Sequence, residues 1–87
     1  MDFRWNDWNI EHVARHGVAL EEAEAVIEAA SGAYPRRDAD GKWLVRGRGR
    51  GGRLLQVIYL MDDDGTIDAI HARPLTQKET KRFRRRE

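Results

Sequence analysis

Apolar residues recur along this chain with two periods, and the change from one to the other divides it. Between Ile10 and Ala30 they fall three and four apart, the spacing of one helical face. Ile10, Val13 and Ala14 mark a helix predicted from Asp7 to His16. Asn6 is its expected N-cap, because its side chain can accept a hydrogen bond from a free N–H of the first turn. Gly17 follows, where a left-handed conformation is cheap only for glycine. Leu20, Ala23, Val26, Ile27 and Ala30 mark a second helix, predicted from Leu20 to Ala30 and ended by Ser31-Gly32. Glu21 and Glu22 favour its positive N-terminal end.

Beyond Gly32 the period becomes two. Ala33 to Arg37 reads as a strand, and Asp38-Ala-Asp-Gly41 as a turn. Lys42 to Arg48 alternates, with Trp43 and Val45 on one face and Leu44, Arg46 and Arg48 on the other. Gly49-Arg-Gly-Gly52 is a loop. Arg53 to Met61 is a long apolar strand, suited to the centre of a sheet. Asp62-Asp-Asp-Gly65 is a hairpin turn, and Thr66 to Arg73 the return strand. Pro74 closes it, since proline has no ladder donor. Thr76 and Glu79 form a capping box for a basic helix running to Arg86. Asp2 to Trp5 reads as a further short strand. The order predicts one α+β domain over residues 1–87: two helices, a three- to four-stranded antiparallel sheet, then a helix.

Composition narrows the class. A chain of 87 residues has room for one core. The 40% hydrophobic content and three Trp belong to a folded domain. The absence of cysteine excludes disulfides and thiolate metal sites and fits a reducing cytoplasm. No apolar run approaches the ~20 residues of a membrane span, and no signal-peptide pattern opens the chain, so no membrane association is expected. The net charge of +1 hides an uneven distribution. Residues 1–34 carry −5, 35–56 carry +5, 57–70 carry −4 and 71–87 carry +5. If the two basic blocks meet on the surface they attract a polyanion, with nucleic acid the first candidate. The alternative is a set of solvated charges balanced across the fold.

His71 and Arg73, two apart on a strand, share a face. One exchanges protons near neutrality and the other is a permanent cation, a pair suited to chemistry on phosphate. Cleavage of RNA without a metal needs a base for the 2′-hydroxyl, cations to hold the phosphate, and an acid for the leaving oxygen. Arg73 is the leading candidate for phosphate contact, its rival role being an ion pair with Glu79. His71 is the candidate acid or base. Arg46 and Arg48 share a strand face and can hold neighbouring phosphates. Arg50, in the glycine-rich loop, is a candidate mobile contact. Lys78 and Arg82 extend the basic set onto the last helix. His12 and His16, four apart on the first helix, have a zinc-compatible spacing, but no third ligand is evident, so neither metal nor cofactor is expected. His16 is also placed to cap the helix or contact RNA. Trp5, Trp8 and Trp43 read as core or interface anchors.

Several segments together carry a family resemblance. Phe3-Arg-Trp5-Asn-Asp-Trp-Asn9, Arg15-His-Gly-Val18 and Glu21-Glu-Ala23 are followed by Gly52-Arg53-Leu-Leu, Val57-Ile-Tyr59 and Ile70-His-Ala-Arg73, leading to Thr76 and Glu79. In this order and spacing the chain resembles the BrnT toxins of bacterial type II toxin–antitoxin systems. The resemblance implies a compact fold like that of RelE-type ribonuclease toxins, metal-independent RNA cleavage and inhibition of translation. It implies a small antitoxin, usually a ribbon-helix-helix protein of the BrnA kind, that caps the toxin and contacts DNA on its behalf. It draws Arg53 into the expected catalytic set with Arg73, His71 and His16, the rival for Arg53 being an ion pair that stabilises the hairpin. It adds Arg15 to the expected RNA contacts. The chain departs from the family at Ala19, where Ser or Thr is usual as a helix cap, at Trp8, at Ile10-Glu11, at His71 in place of Ser, and at Thr80. These departures keep open a second expectation, a non-catalytic RNA-binding or regulatory module with the toxin fold. A third expectation, compatible with the first, is that binding a partner protein is its main property.

Overall fold

Asn6 caps the first helix through a reciprocal pair of bonds. Its Oδ1 accepts from the Asn9 N–H at 3.0 Å, and the Asn9 Oδ1 accepts from the Asn6 N–H at 2.7 Å. The computed structural model describes residues 1–38 and 40–86, so Ala39 of the first predicted turn lies outside the described residues. The elements are α1 (Asp7–Ala14), α2 (Leu20–Glu28), β1 (Arg36–Arg37), β2 (Trp43–Arg48), β3 (Leu54–Met61), β4 (Ile67–Pro74) and α3 (Gln77–Arg86). The strands form one antiparallel sheet in the order β1-β2-β3-β4. The architecture is α+β, with two N-terminal helices and one C-terminal helix, as the periodicity predicts. No helix among the described residues is long and apolar enough to cross a membrane.

Four boundaries differ from the sequence expectation by two residues or more, while β2 and β3 each begin one residue late and β4 is shifted by one, taking in Pro74 opposite Leu55. α1 stops at Ala14 because the Gly17 N–H folds back to the Ala14 carbonyl at 2.9 Å, leaving His16 off the helix. α2 stops at Glu28, where the Ala30 N–H bonds the Ile27 carbonyl in a tighter turn. The strand predicted from Ala33 contracts to Arg36–Arg37, since Pro35 offers no N–H to the ladder. The strand predicted at Asp2–Trp5 is a single parallel bridge between Phe3 and Ile67.

α1 lies along β4, and α2 crosses β2 and β3. Between helices and sheet sit Val13, Val18, Ala23, Val26, Ile27, Val45, Leu55, Val57, Tyr59, Ile67, Ala69 and Ala72, all buried. Burying a Val, Leu or Ile side chain contributes about 1.5–3 kcal/mol, so this layer carries most of the stability. Alternation along the strands sends Arg46 and Gln56 to the sheet's other face.

β4 would not follow that alternation without an interruption. Tyr59 pairs with Ala69, but Val57, two residues away on β3, pairs with Ala72, three residues away on β4. One residue is therefore extra at Ile70-His71, a β-bulge. A regular strand with Ile67 and Ala69 facing the core would also turn His71 and Arg73 inward. The bulge reverses the phase, so Ala72 enters the core and His71 and Arg73 face away from it.

Candidate nucleic-acid interface

On the face away from α1 and α2, Arg46, Gln56 and Arg73 stand in one row across three strands. Register pairs Arg46 with Gln56, and Gln56 with Arg73. The two arginine-bearing strands are therefore not neighbours; β3 separates them. Their side chains meet at one carboxylate. Arg73 donates to Glu79 through both arms of its fork, at 2.7 and 2.8 Å. Arg46 donates to Glu79 Oε2 at 2.9 Å and, through Nε, to the Gln56 side-chain oxygen at 3.0 Å. Glu79 is itself held by the capping box of α3. Its Oε1 accepts the Thr76 N–H at 2.9 Å, while the Thr76 hydroxyl accepts the Glu79 N–H at 3.2 Å.

Two guanidiniums against one carboxylate leave an excess charge of +1 on a surface that ligands can reach. The side chains of Arg46, Arg73 and Glu79 are 23%, 27% and 18% exposed. The fork of Arg73, with the Thr76 N–H and the nearby charge of Arg46, holds the Glu79 carboxyl well below the usual carboxylate range. Glu79 is thus ionised and a very weak base, fit to place the arginines but not to move a proton. Its hydrogen bond raises Arg73 further above the ordinary guanidinium value. Among the described residues, the Nη1 group of Arg46 has no protein acceptor, so donors remain for an incoming anion.

His71 sits two register positions from this row, opposite Ile58 and on the same face. Its ring lies 5.4 Å from that of His16, edge to face. α1 runs beside β4, which lets the loop after it bring His16 round the sheet's edge. Burial, then His16, then Arg73 lower the pKa of His71 below its ordinary value. The ring is therefore mainly neutral at pH 7 and available as a proton acceptor. His12 turns elsewhere. It stacks on Trp8 at 3.6 Å, and its Nδ1 is 2.7 Å from the Trp8 carbonyl oxygen. The helical spacing of His12 and His16 therefore does not bring them together, because His16 has left the helix.

Arg53 is not part of the row. It faces the helix layer and donates to both oxygens of Glu22, at 2.8 Å each, and to the Gly17 carbonyl. Glu22 in turn accepts the Ala19 N–H at 3.1 Å, which supplies part of the capping that the Ala19 side chain lacks. The Arg53 partner that exists joins two elements and is not within the hairpin. Arg48 donates to the Gly52 carbonyl at 3.3 Å at the far end of β2. Arg50 is exposed in the loop, Arg15 is exposed at the end of α1, and Lys78 and Arg82 are exposed on α3. The fold thus gathers Arg73, Arg46, His71 and His16, and places Arg82 beside Arg46 in a small cleft. Among the described residues, no three His, Asp or Glu side chains gather to hold a metal ion.

Sequence reasoning missed Gln56 and Arg36. Gln56 had a signal, being the one polar residue within the strand from Leu54 to Met61. Arg36 had none, because its approach to Arg46 depends on how β1 pairs. No protein-family model matches the chain, and no curated protein matches it.

Proposed function

We propose that this protein is a metal-independent endoribonuclease, the toxin of a type II toxin–antitoxin pair that inhibits translation by cutting RNA. The observation that carries this reading is the Arg46–Gln56–Arg73 row with His71 on the same sheet face beside it and His16 against the His71 ring. A phosphodiester enters through the open N–H groups of Arg46 and then competes with Glu79 for Arg73. His71 takes the 2′-hydroxyl proton, and the 2′-oxygen attacks phosphorus. The two guanidiniums hold the non-bridging oxygens as negative charge grows on them. His16, across the ring contact, returns a proton to the departing 5′-oxygen. The products are a 2′,3′-cyclic phosphate and a 5′-hydroxyl. Arg53 serves as a structural clip. A small ribbon-helix-helix antitoxin, resembling BrnA, is the proposed partner, with DNA contacted only through it.

One observation favours a second reading, an RNA-binding module without cleavage. The fork of Arg73 is already filled by Glu79, so an anion must displace a carboxylate to use it. Incubating purified protein with defined RNA, with and without EDTA, separates the two. EDTA-resistant cleavage that is lost in a folded Arg73→Ala variant supports the nuclease. Salt-dependent binding without cleavage, on free RNA and on translating ribosomes alike, overturns it in favour of the module.

A further inference from the structure

Beside the row, Tyr34, Arg36, Arg46, Arg82 and Phe83 line a cleft of about 80 Å³. Its composition is unusual for a surface depression: three guanidiniums, two aromatic rings and no acidic residue. Each member arrives for a definable reason. Arg36 pairs with Leu44 across β1 and β2, so alternation places it on the same face as Arg46. Arg37, one residue on, goes to the other face and lies 5.3 Å over Trp43. Arg82 and Phe83 lie three and four residues after Glu79 on α3, beside it on one helical face. Arg36 rests over the Tyr34 ring at 5.4 Å. A cation held over a ring keeps its in-plane N–H groups free for an acceptor. Arg82 has no acidic partner among the described residues.

We infer that this cleft is a second phosphate subsite for single-stranded RNA, adjoining the Arg46–Arg73 row and resting on the RNA reading proposed above. Arg46 lines the cleft and also bonds Glu79, so one guanidinium borders both positions. Its lining offers guanidinium donors from three directions and no competing carboxylate, which suits a phosphate. The subsite therefore holds the backbone without reading base edges. The strand runs from the His71 side of β4 towards β1, with successive phosphates at Arg73 and at Arg36–Arg82.

The test uses the full chain and uncleavable 2′-O-methyl oligoribonucleotides carrying one, two or three phosphates, with binding read by fluorescence anisotropy. Wild type is expected to gain roughly fivefold to tenfold in affinity on addition of the second phosphate. The double variant Arg36→Gln/Arg82→Gln is expected to lose that gain. Its log affinity against log salt should also flatten by about 0.7, the share of one single-strand phosphate contact. Lys81→Gln/Arg84→Gln removes the same charge from α3 outside the cleft and is expected to keep the length-dependent gain. Both changed positions in the cleft variant are exposed, and a matching thermal melt confirms its fold. Arg82→Glu alone should depress two-phosphate binding further than Arg82→Gln. If wild type shows the gain and the cleft variant shows the same gain and slope, the subsite is wrong while the RNA reading stands. If wild type binds none of the oligonucleotides, both fall.

Discussion

Two arginine–carboxylate clusters in this molecule use the same local device to different ends. In each, a glutamate at the third position of a helix accepts a backbone N–H from the cap residue and the fork of an arginine on, or immediately before, a strand. Glu22 does this at α2 with Arg53, and Glu79 does it at α3 with Arg73. The Arg53 cluster is closed. Its charges balance, one cation against one anion, and Nη2 of Arg53 also donates to the Gly17 carbonyl, so α2, the loop before it and the start of β3 are tied together. The Glu79 cluster is open. A second arginine, Arg46, reaches the same carboxylate from a strand that is not adjacent to β4, and the positive charge is left in excess. A helix-capping glutamate makes a neutral clip when charges balance, and leaves net positive charge at the surface when a second cation converges on it.

The sharpest way to break this comparison is to truncate each arginine and measure RNA cleavage in EDTA. Arg73→Ala is expected to lower cleavage by at least about 100-fold, the scale for removing a donor to a developing oxyanion. Arg53→Ala is expected to keep cleavage within about threefold once its fold is confirmed. Equal loss in both variants would show that the two clusters do not differ in the way the charges suggest.

Next in size is the proton inventory. Because His71 is held neutral by its surroundings, kcat/KM should rise with pH along an acidic limb whose midpoint lies below 6.5. His71→Gln should remove that limb, and a limb unchanged in the variant would assign it to another group.

Stability provides a finer contrast. Glu79→Gln leaves two guanidiniums facing each other without a counter-charge, and is expected to cost about 2 kcal/mol by urea denaturation at pH 7. Glu79 is depressed in the folded state, so its contribution is fully present above the unfolded value, about 4.3, and is lost as pH falls through the folded value. The gap between wild type and Glu79→Gln should therefore shrink as pH falls below about 4.3. A constant gap would mean that the carboxylate's charge is not the source. The smallest effect is expected at the closed clip. Arg53 is 43% exposed at its side chain, and solvent screening limits Arg53→Ala to about 1 kcal/mol.

Much of the site was visible as parts. The capping box at Thr76 and Glu79, the shared face of Arg46 and Arg48, and the pairing of His71 with Arg73 follow from spacing alone, because caps and alternation are local rules. The ion pair of Arg73 with Glu79 was foreseeable as a rival role, six residues apart across a cap. That Arg46 would join it was not, since Arg46 and Glu79 are 33 residues apart and β3 lies between the strands of Arg46 and Arg73. Arg53, grouped by resemblance with the site, is turned to Glu22, 31 residues back.

The sequence by itself determined the elements and their order, because helix period, strand alternation, caps and turn residues act over a few residues. It also determined which residues carry charge. Only the tertiary structure decided where those charges converge. The single extra residue at Ile70-His71 decided which face of β4 meets the core. A continued alternation from Ile67 and Ala69 would have buried His71 and Arg73. Ala72 takes that place because the chain gains more by burying a methyl group than by stripping water from a guanidinium, and the bulge is the backbone's way of reaching that arrangement.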